Sequence, residues 1–199
     1  MTKIDVLQLG LLGANCYLVR AEGEKHCAVI DPGGDGEAIL TKAAALGLTV
    51  SAVLLTHCHF DHVGGLQPLA AVAPVYLHPG DLTLPEFLTA GPLPPANHLA
   101  EGQGLTLAGL EITVFHTPGH TPGSVCFLTG DALFTGDTLF AGSCGRTDLP
   151  GGDPGQMAAS LARLAALDYH GQVYPGHGPA TGLDQERRHN PCLREVAGA

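Results

Sequence analysis

The stretch Thr56-His57-Cys58-His59-Phe60-Asp61-His62-Val63-Gly64-Gly65 limits what this chain can become more than any other. Four metal-competent side chains, His57, His59, Asp61 and His62, fall within six residues, directly after the apolar run 51–55. That run is short, apolar and bounded by turn-type residues, the pattern of a buried strand. Gly64-Gly65 then lets the backbone turn sharply out of the loop. Imidazole nitrogen and carboxylate oxygen both ligate zinc at about 2.0–2.2 Å. In an extended His-x-His the two rings project to one side, whereas the consecutive Asp61 and His62 point apart. One loop can therefore serve two ions. Cys58 points opposite to its histidine neighbours and is set aside as a ligand.

The surroundings are those of a globular protein. With 199 residues, 45% hydrophobic and 14% charged, the chain can fill one core as a single domain, residues 1–199. A net charge of −10 with only nine Lys plus Arg speaks against a nucleic-acid partner, which needs clustered cations. The six cysteines (16, 27, 58, 126, 144 and 192) include no C-x-x-C pair, so neither a zinc ribbon nor a redox dithiol motif is visible. Residues 1–5 lack the features of a signal peptide and no apolar run approaches a membrane span, so a cytoplasmic protein without a membrane partner is expected.

Along the chain, strands are expected over 4–9, 15–20 and 27–30, the last ending at Asp31-Pro32-Gly33-Gly34. Asp31 could support the metal loop by hydrogen bonding, but a plain turn residue is the safer assignment. Asp35 can cap a helix over 36–46 and Gly47 can end it. A short helix over 66–72 and a strand over 74–78 follow the metal loop. Residues 79–104 are the least patterned, with a helix conceivable over 81–88. His78 and His98 lie there and are not taken as ligands. An antiparallel pair, 105–107 with 110–115, leads into His116-Thr117-Pro118-Gly119-His120-Thr121-Pro122-Gly123. His120 sits in a Pro/Gly turn at a strand end, while His116 is closer to the strand and is taken as structural. A hairpin over 124–134 delivers Gly136-Asp137. An amphipathic helix over 153–167 precedes a strand over 172–174 that ends at Pro175-Gly176-His177-Gly178. A last helix over 183–196, interrupted at Pro191, closes the chain.

Seven candidate ligands thus occupy four strand-end loops: His57, His59, Asp61, His62, His120, Asp137 and His177. The His-x-His-x-Asp-His run resembles the metallo-β-lactamase superfamily. Within it the chain is most similar to glyoxalase II, the hydroxyacylglutathione hydrolases. Asn15-Cys16-Tyr17-Leu18-Val19, Asp31-Pro32-Gly33, Thr117-Pro118-Gly119-His120-Thr121, Gly145-Arg146-Thr147-Asp148 and Pro175-Gly176-His177-Gly178 share the likeness. It implies an α+β protein, a four-layer αβ/βα sandwich with its metals at one edge. It also implies two divalent ions, zinc first and iron or manganese as alternatives. His57, His59 and His120 would hold one, Asp61, His62 and His177 the other, with Asp137 between them.

A metal-bridging hydroxide, oriented by Asp61, would then attack the acyl carbon of a small-molecule thioester of the S-lactoylglutathione type. Thiolate leaves without a strong acid, since its pKa is about 8.5. Two-domain glyoxalases II carry a C-terminal helical domain that contacts glutathione. Here 22 residues follow His177 in the 199-residue chain, so that domain is not expected. Arg146, in the Gly-rich loop 142–152, is either a substrate contact or a loop anchor. The rival from another reaction class is a persulfide dioxygenase, with His57, His120 and Asp137 as a facial triad on one iron. A nuclease is disfavoured by the acidic balance. A secreted β-lactamase is disfavoured by the missing signal peptide and by Asp137 as bridging ligand. A closed, non-catalytic metal module would leave no exchangeable position.

Overall fold

The computed structural model describes residues 1–197. β1 (Thr2–Leu9), β2 (Ala14–Ala21) and β3 (His26–Ile30) form an antiparallel meander. Helix α1 (Gly36–Ala45) crosses to β4 (Thr49–Leu54), and α2 (Phe60–Val63) with α3 (Leu66–Ala70) crosses to β5 (Val75–Leu77), both strands parallel to the one before. A 3₁₀ turn (Pro79–Thr83), α4 (Glu86–Thr89) and the short β6 (Asn97–His98) complete the first sheet, ordered β1-β2-β3-β4-β5-β6. β7 (Gly104–Leu107), β8 (Leu110–His116), β9 (Val125–Thr129) and β10 (Ala132–Gly136) make a second antiparallel meander. The hairpin β11 (Leu139–Phe140) and β12 (Ser143–Cys144) and helix α5 (Pro154–Ala165) then lead to β13 (Gln172–Pro175), parallel to β10. β14 (Thr181–Gly182), α6 (Leu183–His189) and α7 (Pro191–Ala197) end the chain, and the second sheet is ordered β14-β13-β10-β9-β8-β7.

Period-two alternation sorts the strand side chains into three apolar layers. On β2, Cys16 and Leu18 pack with Ile39 and Leu69 of the helices, while Tyr17 and Val19 pack with Val114, Phe127 and Phe134 of the other sheet. Cys126, Leu133 and Val173 face outward onto Met157, Leu161 and Leu193. Both sheets are therefore covered on both faces, and helix, sheet, sheet and helix stack as the αβ/βα sandwich. A register shift between β3 and β4 at Cys27/Ala28 lets Val50 and Val53, an odd number of residues apart, lie on the same helical side.

Local chemistry explains the element ends. Asp35 accepts from Glu37 N at 3.0 Å and Ala38 N at 3.2 Å, capping α1 as expected. Ala108 and Gly109 have φ of +50° and +72°, the two-residue turn whose twist suits a hairpin. The helix conceived over 81–88 is instead split into the 3₁₀ turn and α4. Leu84, held extended ahead of Pro85 (φ −65°, ψ 142°), breaks it. Asn190, extended before Pro191, likewise separates α6 from α7. Helix α3, expected over 66–72, is shorter and ends at Ala70.

One consequence of this topology sets up the site. β8 and β10 each run antiparallel to β9, and β13 runs parallel to β10, so the carboxyl ends of all three lie at one edge. β3 and β4 also run together in the first sheet. Loops leaving these strand ends meet there, the usual place for ligands in sheets with parallel strands.

Candidate metal centre

Each predicted ligand sits where a strand has just ended. His57, His59, Asp61 and His62 follow β4, His120 follows β8, Asp137 follows β10 and His177 follows β13. The structure brings all seven together. Donor atoms of His57, His59 and His120 lie within 4.8 Å of one another, as do those of Asp61, His62 and His177. Asp137 stands between the groups. Its Oδ1 is 3.4 Å from His62 Nε2, and its Oδ2 is 3.5 Å from His120 Nε2 and 3.7 Å from His177 Nε2.

The protons of three of these rings can be placed from their neighbours. His120 Nδ1 is 2.7 Å from the Arg146 carbonyl, which can only accept, so Nδ1 carries the hydrogen and Nε2 presents its lone pair inward. His62 Nδ1 is 3.0 Å from Asp31 Oδ2, which has the same effect. Thr56 Oγ1 spends its hydrogen on Asp31 Oδ2 at 2.5 Å, so it accepts from His57 Nδ1 at 3.2 Å. His57 Nε2 is then also a lone pair aimed at the centre. It is buried and has no partner, as are His59 Nε2 and Asp137 Oδ1. Leaving a buried polar atom unpaired costs about 1–3 kcal/mol, and His59 Nδ1 and His120 Nε2 face each other at 2.9 Å. Inward lone pairs crowded around ionised carboxylates fit cations, so the residues match two divalent ions.

The electrostatics follow from burial and these contacts. Burial, with the His120 charge second, pushes His59 down to about 4, and burial also lowers His57. Burial works against ionising Asp61, but the hydrogen bond from His177 and the His62 charge bring it down to about 2. His62 moves up despite burial because Asp137 and Asp31 face it, so Nε2 attracts a proton whose place a cation would take. His177 is raised by its hydrogen bond to Asp61.

Three supporting residues were not assigned this role from the sequence. Asp31 is more than a turn residue, which corrects the safer assignment above. It is 1% exposed, holds φ +53°, and accepts from Thr56 N at 2.7 Å, Thr56 Oγ1 and His62 Nδ1. Asp81 lies in the unpatterned segment and staples two ligand loops. It accepts from Cys58 N at 2.8 Å in one, and from Gly123 N at 2.6 Å and Thr121 Oγ1 at 3.1 Å in the other. Asn15 reaches across from β2, with Nδ2 donating to the carbonyls of Pro175 and Gly178 at 3.0 and 2.8 Å, and so fixes the His177 loop. Buried polar residues at strand ends were the available signal for Asn15 and Asp31. For Asp81 there was none. Backbone room matters too: a Cβ on Gly176 would lie 2.2 Å from Asp137 Oδ1.

Cys58 packs its side chain into the helix-side core and lends only its N–H. His116 Nε2 donates to the Pro122 carbonyl at 2.9 Å, and its ring stacks on His78 with centroids 4.0 Å apart. Arg146 presents an exposed guanidinium held by Asp148 at 2.6 and 2.8 Å, while its carbonyl anchors His120.

Residues 9–177 match the metallo-beta-lactamase superfamily. The chain belongs to that superfamily. Members are in general hydrolases that bind divalent metals, consistent with the His/Asp groups described. A probable metallo-hydrolase of Bacillus subtilis (strain 168) is 38% identical over 94% of this chain and 95% of its own length. A hydroxyacylglutathione hydrolase of Haemophilus influenzae is 34% identical over 96% of this chain and 98% of its own. Among solved superfamily structures, the BLEG-1 B3 metallo-beta-lactamase superposes with a TM-score of 0.85 at 40% identity, covering 97% of this chain and 99% of that one. TTHA1623 in a di-iron-bound form gives a TM-score of 0.84 at 44% identity, covering 94% and 98%. No described helix is long and apolar enough to cross a membrane.

Proposed function

We propose that this superfamily member is a thioesterase that hydrolyses S-2-hydroxyacylglutathione substrates of the S-lactoylglutathione type. One observation carries the reading: two three-donor clusters flank a single carboxylate, Asp137, with their lone pairs turned inward. His57, His59 and His120 would hold one ion, Asp61, His62 and His177 the other, and Asp137 would touch both. Bound there, a pair of divalent ions lowers the pKa of water towards neutrality and polarises a carbonyl oxygen. Zinc suits the donors, as do iron and manganese.

The chain's own residues do the rest. Asp61 is ionised at neutral pH and can accept a hydrogen bond from the attacking water, which sets its direction. Asp31, Thr56 and the Arg146 carbonyl keep three rings in their working tautomers. With the donor atoms of the cluster committed, none of its side chains has a proton for the leaving group. A thiolate leaves without one, whereas an amine or alkoxide does not. The similarity to a hydroxyacylglutathione hydrolase supports the choice of acyl-glutathione. Arg146 is the proposed contact for a glutathione carboxylate, in exchange for Asp148.

The test is thiol release from S-lactoylglutathione by protein loaded with zinc, iron or manganese, with oxygen monitored. Rapid release without oxygen uptake is expected. Faster opening of a β-lactam than of the thioester would overturn the substrate class. Oxygen uptake with glutathione persulfide on the iron form, without thiol release, would move the protein to the dioxygenases.

A further inference from the structure

Four of the six cysteines, Cys16, Cys27, Cys58 and Cys126, are sealed in the core at 0–1% exposure. Cys144 and Cys192 are different. Both are free and half-buried, and their sulfurs lie 2.8 Å apart although 48 residues separate them. They line an open cavity of about 380 Å³, walled by Met157, Ala158 and Leu161 of α5, so small molecules can reach the sulfurs.

Neighbouring hydrogen bonds hold the pair in place. Asn190, fully buried, donates through Nδ2 to the carbonyls of Phe140 and Ser143 at 3.1 and 3.0 Å, and its Oδ1 accepts from Cys192 N at 2.9 Å. Glu186 Oε2 accepts from Asn190 Nδ2 at 2.9 Å and from Gly142 N at 2.8 Å. These bonds clamp the α6–α7 junction to the β11–β12 hairpin, and the two thiols face each other beside the clamp. A disulfide bond of about 2.05 Å asks the two sulfurs to approach by roughly an ångström or less.

We propose that Cys144 and Cys192 form a redox-active pair that closes to a reversible intrachain disulfide by exchange with a small-molecule disulfide. The Cys144 S–H donates to Cys192 Sγ, so in this contact Cys144 holds its hydrogen while the Cys192 sulfur accepts. Cys192 is therefore the attacker and Cys144 the resolver. Burial pushes the Cys144 thiol up to about 12, in keeping with that order.

In the first step the Cys192 thiolate bonds to one sulfur of RSSR. The S–S bond breaks, and RS⁻ leaves with the proton Cys192 gave up, as RSH. Cys144 then loses its proton and attacks the Cys192 sulfur of the mixed disulfide, and the second RS⁻ takes that proton. Two electrons pass from the cysteines to RSSR, which ends as two RSH. The bridge ties α7 to the strand that runs into the Arg146 carbonyl, and it does not depend on which substrate the metal site takes.

Full-length protein is treated with oxidised glutathione, quenched with acid and alkylating agent, and mapped by mass spectrometry without reduction. Wild type is expected to lose two hydrogen atoms, to yield one linked peptide pair joining 144 to 192, and to reopen with reduced glutathione. Cys144→Ser should accumulate one glutathione on Cys192. Cys192→Ser should acquire it on Cys144 about tenfold or more slowly. Two thiols that stay alkylatable in wild type, a stable unresolved glutathione adduct, or a bridge between chains would each overturn the proposal. Should a serine variant fail to fold, the alanine variants and the wild-type map decide the same question.

Discussion

His62 Nδ1 and Asp31 Oδ2 are 3.0 Å apart, with side chains only 0% and 1% exposed. The same carboxylate takes both hydrogens of Thr56, one from its N–H and one from its hydroxyl. One buried acid therefore aligns a donor of each cluster, His62 directly and His57 through Thr56. Asp31→Ala should weaken ion binding about 10–100-fold, measured by competition with a chromophoric chelator. Unchanged affinity would remove Asp31 from the site's support.

Gly176 is the tightest point beside Asp137. A methyl group there would meet Asp137 Oδ1 at 2.2 Å and His62 Cε1 at 2.7 Å. Gly176→Ala should lower kcat/KM about 10²-fold, because displacing a reacting group by an ångström costs that much. Gly104→Ala, with nothing within 4 Å of its Cβ, is the control and should keep full turnover.

Removing Asp81 leaves the N–H groups of Cys58 and Gly123 buried without acceptors. Asp81→Ala should destabilise the fold by about 3 kcal/mol or more in urea unfolding, with Asp81→Asn recovering part of the loss.

Arg146 and Asp148 hold each other on the surface through two hydrogen bonds. If the guanidinium takes a substrate carboxylate, Asp148 competes with it. Arg146→Ala should raise KM severalfold at constant kcat, and Asp148→Ala should lower KM. Steady-state kinetics on both variants checks the pair, and KM unmoved in both would assign Arg146 a purely structural role.

His78 is pushed from its ordinary 6.5 down to about 4, by burial first and by the stacked His116 second. Between those pH values the unfolded chain binds a proton at this residue that the folded chain does not. Stability from this group is therefore present above 6.5 and lost as the pH falls towards 4. His78→Phe keeps a ring against His116 and removes the titration. Urea midpoints of the variant should fall less steeply than wild type over that window.

Short-range pattern alone determined a good deal here. Four candidate ligands crowd into residues 57–62, Pro/Gly turns hold His120 and His177, and Asp35 caps α1 by contacts no more than three residues away. Such features are written in spacing, because the chemistry and its partner lie within one turn of backbone. The unpatterned segment 79–104 hid Asp81, whose partners are 23 and 42 residues distant. Asn15 reaches a carbonyl 160 residues away, and Cys144 meets Cys192 across 48. Nothing local marks these pairings. They exist only once two sheets have closed face to face and α7 has packed on α5, which buries the polar groups and leaves each one the single partner that geometry allows.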